Sequence, residues 1–294
     1  VSKPPTLGTD VFAMNAPTGS HSTPEFISNF PVDFGVYRKP ASSQPWFNSA
    51  RMISPNELKL NETGAESSWA NGISFDYNNG WGTSGAFTTI GDYQSWMWKR
   101  GSGFDVVNYI GNGSDRYISH GLGVAPEMMW FKKRNASKNW YVYHIGINGG
   151  VNPENYSLRL NTTAAQDEDG NTLWNQTAPT ATQFRINTDN GVNNNNDTYI
   201  AFLFASVDGI SKVGYYDGSN SEQTITTGFQ PRFVILKNVN SGGDWYVLDT
   251  VRGWASGNES YLLLQSGVAQ YTDHDFGAPT ATGFTLTSLS SYNG

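Results

Sequence analysis

The chain repeats itself, and this constrains the fold more than any other feature. Pro126-Glu127-Met128-Met129-Trp130-Phe131-Lys132 recurs as Pro231-Arg232-Phe233-Val234-Ile235-Leu236-Lys237, an offset of 231 − 126 = 105 residues. Trp140-Tyr141-Val142 recurs as Trp245-Tyr246-Val247 at the same offset. Ala178-Pro179-Thr180-Ala181-Thr182-Gln183-Phe184 recurs as Ala278-Pro279-Thr280-Ala281-Thr282-Gly283-Phe284, at an offset of 100. A more diverged copy comes first. Residues 30–39 take the Pro-strand-Lys position, ending in Lys39, and Trp46 stands near the place of Trp140. Residues 58–66 match 158–166, and Tyr93-Gln94-Ser95-Trp96-Met97-Trp98 parallels residues 199–204.

A period near 100 residues is too long for a propeller blade and suits a compact sandwich of about seven short strands. In the second unit, strands are expected over residues 104–110, 128–132, 140–145, 156–161, 184–187 and 199–205, separated by Gly-, Asn- and Pro-rich turns. Residues 199–205 are almost wholly apolar, as expected of a strand covered on both faces. The expected fold is all-β, with three tandem antiparallel β-sandwich, jelly-roll-like repeats. The divisions fall at 1–7 (an N-terminal arm or linker), 8–103 (the diverged first repeat), 104–209 (the second) and 210–294 (the third). The third unit stops early: Ala205 stands 27 positions after Ala178 (205 − 178), but only 16 residues follow Ala278 (294 − 278). Its counterpart of strand 199–205 is therefore expected either beyond Tyr292-Asn293-Gly294 or from a partner. The start at Val1 likewise leaves room for an upstream segment.

Composition removes several functional classes. The chain contains no cysteine, which excludes disulfides, thiolate zinc sites and cysteine nucleophiles. A net charge of −7 without a Lys/Arg cluster argues against nucleic acid. No apolar run is long enough for a membrane helix, so membrane insertion is not expected. Aromatic residues reach 14% and charged residues only 15%, which does not suit a disordered chain.

Motifs for catalysis are missing as well. The Glu-x-Asp-x-x-Glu run of laminarinase-type sandwiches, the Gly-x-Ser-x-Gly elbow and the phosphate loop are all absent. The four histidines, His21, His120, His144 and His274, are scattered, and Asp273-His274-Asp275 has no second histidine beside it. No catalytic residues and no required cofactor are therefore expected. The densest acidic run, Asp167-Glu168-Asp169-Gly170-Asn171, reads first as a solvated loop, with a calcium loop through Asp167, Asp169 and Asn171 as the alternative. Trp140 and Trp245 recur at matched positions, which points to a repeated structural role. Trp69, Trp81, Trp174 and Trp254 fall in loop-like contexts, where packing that anchors the loop is the first reading and contact with glycans or neighbouring subunits the second; with Asn194 and Asn195 of the Asn193-Asn194-Asn195-Asn196-Asp197 run, they are the candidate ligand-binding residues. Amides of this kind hydrogen-bond sugar hydroxyls, and indole rings stack on sugar faces.

Several motifs carry a resemblance: Tyr109-Ile110-Gly111-Asn112-Gly113-Ser114, residues 120–128, Trp174-Asn175-Gln176-Thr177-Ala178-Pro179-Thr180, residues 199–205, and the junction at 207–216. In their order they resemble a tandem-repeat domain of unknown function found in tail and virion proteins of tailed, often marine, phages. A concanavalin- or laminin-G-like sandwich is often found nearby in these proteins. The first unit departs from the pattern at residues 12–20. The resemblance implies a virion structural protein on the particle exterior, in a host-facing tail fibre or appendage. It would act by adhesion, with surface glycans as its ligands and other virion proteins as partners, and would be homo-oligomeric, with a trimer by analogy to phage fibres. A capsid decoration or neck protein is the alternative, followed by a glycan depolymerase acting through Asp167 and Asp169.

Overall fold

A computed structural model of the chain describes residues 7–18, 22–69, 72–83, 87, 90–101 and 103–288. Most of the expected N-terminal arm (residues 1–6), His21 and Tyr292-Asn293-Gly294 lie outside the described residues. The described residues contain strands and short 3-10 turns but no α-helix, and every pairing of named strands is antiparallel. The expected all-β, sandwich-like class is what the molecule adopts.

Three main sheets organise the fold. The first runs Phe12–Asn15, Gln94–Trp98, Phe34–Arg38, Phe47–Ala50, Asn56–Lys59 and Ser67–Ser68 across its width. The second runs Phe104–Ile110, Thr198–Phe204, Met128–Lys133, Tyr141–His144, Tyr156–Arg159 and Asp167–Glu168, in the same connection order. The third has four strands, Phe233–Lys237, Trp245–Asp249, Glu259–Leu263 and Tyr271–His274, which correspond to the last four of each larger sheet. Ladder register ties the first two sheets together residue by residue. Trp98 faces Phe34 as Phe204 faces Met128, and Gln94 faces Arg38 as Ile200 faces Lys132. The true counterpart of Lys132 is therefore Arg38. Lys39, which ends the matching sequence stretch, lies one residue further on and pairs with Asp92 at the surface.

Successive side chains of a strand point to opposite faces, and here both faces are buried against different cores. The outward faces pack under small sheets. Met129, Phe131 and Leu203 meet Ile118, Phe184 and Ile186; Tyr37 and Met97 meet Phe26 and Trp81; Leu236 and Leu248 meet Phe284 and Leu286. The inward faces of all three sheets meet in one shared core that includes Val36, Trp46 and Trp96, Trp130, Trp140, Ile200 and Phe202, and Trp245, Val247 and Leu262. Three sandwiches on a string would each keep a separate core. In this molecule the largest cluster belongs to all three sheets.

The ring of sheets is stitched at each junction by the same device. Trp140 Nε1 donates to the carbonyl of Lys59 at 2.9 Å, Trp245 Nε1 to that of Arg159 at 3.3 Å, and Trp46 Nε1 to that of Leu263 at 2.9 Å. The second sheet thus holds the first, the third holds the second, and the first holds the third. A cation seals each seam. Lys132 Nζ donates to the carbonyls of Thr63, Lys133 and Lys138 at 2.9–3.0 Å. Lys237 Nζ reaches those of Thr163 and Gly243, and the Arg38 guanidinium reaches those of Ser266, Gly267 and Val268. An ammonium has three N–H donors, and Lys132, fully buried, uses all of them.

Replacing Trp140 by Phe keeps most of the apolar contact but leaves the Lys59 carbonyl without its donor. The expected loss is about 1–3 kcal/mol, read by chemical denaturation. Because one core spans the sheets, calorimetry of the unmodified chain should show a single unfolding transition; three resolved transitions would contradict a shared core.

Candidate functional site

The sequence nominated four tryptophans, and the structure removes three of them from any surface. Trp81 is wholly buried, stacked on Phe75 at 5.1 Å, with its indole N–H given to Ser95 Oγ at 3.0 Å. Its ring lies against Gly35, where an added Cβ would stand 2.2 Å from Cε2. Trp174 packs on Phe131 at 4.7 Å and donates to the Tyr156 carbonyl. Trp254 sits edge-on to Phe284 and donates to the Gly277 carbonyl. Both are buried. For these three the ligand reading gives way to the packing reading: the indoles are the plugs of the outer cores and cannot meet a ligand. Trp69 keeps part of its surface, lying parallel to Tyr37 at 6.4 Å and edge-on to Phe87.

The acidic run does not gather around an empty point. Asp167 lies in a short strand paired with Ser157, and Arg159 stands between the carboxylates, 3.3 Å from Asp167 and 3.5 Å from Asp169. Asn171 is exposed, and its backbone carbonyl accepts from Asn187 Nδ2. Among the described residues there is no group of three or more His, Asp or Glu side chains that could hold a metal. The guanidinium already supplies the positive charge that a calcium ion would bring, so millimolar calcium and EDTA should give superimposable melting curves. A rise in Tm with calcium would restore the metal reading.

Asn194 and Asn195 remain, and the structure builds them into a defined surface. The loop 193–197 is zipped to the turn 111–114. Gly111 N–H donates to the Asp197 carbonyl at 2.7 Å, Asn196 N–H to the Gly111 carbonyl at 2.9 Å, and Gly113 N–H to the Asn193 carbonyl at 2.9 Å. Asn193 is the buried pin: its Oδ1 accepts from Asn112 N–H at 3.0 Å and its Nδ2 donates to the Ser114 carbonyl at 2.6 Å. Gly111 is obligatory, because a Cβ there would stand 2.1 Å from the Asn194 carbonyl oxygen. Asn194 is half-buried, receiving support from Tyr199 Oη at its N–H and giving its amide to Asp197. Asn195 is exposed beside Gly113. The ion pair with Lys133 pulls the Asp197 carboxyl down to about 2, helped by the amides of Asn194 and Asn135.

The turn leads directly into a second polar group that the sequence did not suggest. Tyr117 and Arg185 face each other across the Arg116–Ser119 and Gln183–Ile186 ladder. The guanidinium lies 5.4 Å from the Tyr117 ring centre and pairs with both oxygens of Asp115. That pairing holds the Asp115 carboxyl below the usual range. Tyr117 is 48% exposed. Nothing in the linear sequence joins residues 115–117 to residue 185; only the cross-strand register does. The result is a rigid ledge of exposed Asn112 and Asn195, one exposed ring and a planar charged pair, without a carboxylate couple.

One carboxylate stands out chemically. Glu259 is buried, with Oε1 accepting from Phe276 N–H at 3.0 Å and Oε2 without a partner, and burial pushes its pKa up to about 8. Perturbed groups can mark active sites, but this one is buried, with Asp275 as the nearby charge that adds to its rise. A folded-state pKa raised above the ordinary value of about 4.5 means that stability is full at low pH and falls as pH rises towards 8. Glu259→Gln should therefore flatten the decline in Tm between about pH 5 and 8; an unchanged slope would show that Glu259 is not its source.

A match to the family described as a domain of unknown function (DUF7483) covers residues 8–291. No curated protein and no solved structure matches the chain. Since the family match runs through all three sheets, the chain belongs to the DUF7483 family.

Proposed function

We propose that the chain is three copies of one unit, at residues 8–103, 104–209 and 210–294, serving as a structural component of a phage virion. Within the particle it belongs to a host-facing tail fibre or comparable appendage and works by contact rather than by turnover. The observation that carries this reading is the pinned polar ledge of the second unit. Asn112, Asn195, Asp115, Arg185 and Tyr117 are held at the surface by a buried pin and a ladder pair, so little ordering entropy is lost on binding. Exposed asparagine amides and a bidentate ion pair suit sugar hydroxyls, and the Tyr117 face offers a stacking platform in place of the buried tryptophans. The resemblance to tail and virion domains supplies the setting. A homo-oligomer, a trimer by analogy to phage fibres, would multiply a weak single ledge through effective concentration. Capsid decoration or a neck position is the alternative.

On an array of bacterial surface saccharides the protein should bind a subset of glycans. Tyr117→Ala and Arg185→Ala should each weaken that binding about tenfold, equivalent to about 1.4 kcal/mol. Gold-labelled antibody should decorate the tail end of intact particles. Labelling of the capsid or neck together with an unresponsive array would favour the alternative. Release of reducing ends that depends on Asp167 and Asp169 would replace both readings with a depolymerase.

A further inference from the structure

The small outer sheets of the second and third units share a core side and differ on the solvent side. Both place an isoleucine opposite a phenylalanine over the outer core, Ile118 with Phe184 and Ile225 with Phe284. The neighbouring register position turns outward. In the third unit it holds Thr224 opposite Thr285, and in the second Tyr117 opposite Arg185. A threonine pair is enough to build this ladder, so packing does not demand an exposed ring and a guanidinium there.

The corner Trp174–Thr177 is tied to that outward pair. Buried Trp174 anchors it by donating to the Tyr156 carbonyl at 3.1 Å. Asn175 donates its side-chain amide to Asp115, and Thr177 Oγ1 accepts from Arg185 Nη1 at 3.0 Å. Gln176 stands between these two attachments and is exposed. Its φ is 51°, directly after Asn175 at 47°. Among the described residues seven other than glycine have a positive φ; six are asparagine, and the seventh is Gln176. Asparagine enters the left-handed region readily because its short amide bonds locally. Glutamine has no such advantage, so the corner holds Gln176 for its side chain rather than its backbone. Strain of this kind clusters where a site uses it.

We propose that Gln176 completes the ledge as the specificity-determining residue of a subsite for one uncharged sugar unit, whose ring lies on Tyr117 and whose hydroxyls meet the Gln176 amide. This inference rests on the saccharide reading above and deepens it. Charge balance selects the sugar. The Arg185 guanidinium is matched by both oxygens of Asp115, so an anionic sugar would have to displace a carboxylate already seated on it. The next cation along the chain, Arg116, belongs to the other face of the strand. It gives its guanidinium to the Ile110 carbonyl and lies over the Tyr109 ring. An amide both donates and accepts, as a hydroxyl does, and brings no charge.

The probe is an array that carries neutral glucans, mannans and galactans beside glycans bearing uronic acid, sulfate or phosphate groups. Binding should be confined to neutral members and change little between about 50 and 500 mM salt, because no new charge pair forms across the contact. Asparagine and glycine both suit a left-handed backbone, so Gln176→Asn and Gln176→Gly should each keep the Tm of the unmodified chain. Each should bind the same neutral glycans about fivefold more weakly, the loss of about one hydrogen bond. Full affinity in both variants, or weaker binding that comes with a lower Tm in both, would overturn the role of Gln176. Binding confined to acidic glycans would overturn this inference and leave the saccharide reading standing, whereas an array without any response would overturn both.

Discussion

Everything in this molecule depends on an indole N–H reaching across to a neighbouring sheet. Trp46, Trp140 and Trp245 each fill the shared core and each give their one polar atom to a backbone carbonyl of another unit. A buried Trp needs such an acceptor, and a buried carbonyl at the end of a strand needs such a donor. One contact therefore satisfies both groups and sets the angle between the sheets. The backbone N–H of each of these tryptophans is taken by a side-chain carbonyl: Asn61, Asn161 and Gln265 in turn. The recurrence of Asn at two of these places and Gln at the third shows what the position requires, which is an acceptor of the right reach.

Much of this was legible in the sequence, and the reasons for the rest are physical. The repeat and the strand-forming residues announced an all-β chain, and the matched Trp140 and Trp245 pointed to a structural duty. Register was harder to read. Counting residues ended the first copy of the motif on Lys39, but pleat alternation puts Arg38 at the inward position, because side-chain direction has a period of two and a slip of one reverses it. The tryptophans of polar segments could not be decided between packing and ligand contact for a related cause. Composition reports the neighbours along the chain, whereas the burial of Trp81 is decided by Phe75, Ser95 and Gly35, which approach from elsewhere. The ledge formed by Asp115, Tyr117 and Arg185 was invisible for the same reason. Its members are joined by a ladder spanning some seventy residues of sequence.

The two outward-looking features differ in kind. The ledge is polar, small and pinned by hydrogen bonds that exist before any ligand arrives. The outer edge of Phe233–Lys237 is apolar and has no ladder partner among the described residues. Rigid scaffolds commonly carry their contacts on loops. Here the loop 193–197 owes its rigidity to Asn193, a residue wholly withdrawn from solvent within a run of otherwise similar asparagines.

The seam between the first and third sheets carries a cost in time. Arg38 meets Val268 across 230 residues of chain, and Trp46 meets Leu263 across 217. A ribosome adding about 5–20 residues per second needs roughly 10–50 s to deliver the far side of that seam. Until then the inward face of the first sheet is covered by the second sheet alone, and Trp46, whose acceptor is Leu263, is open to wrong neighbours. Contacts so distant in sequence also slow folding, since loop closure must precede its reward. A nascent chain of this design is thus most exposed to misassembly in the interval before residues 263–268 emerge and the ring closes.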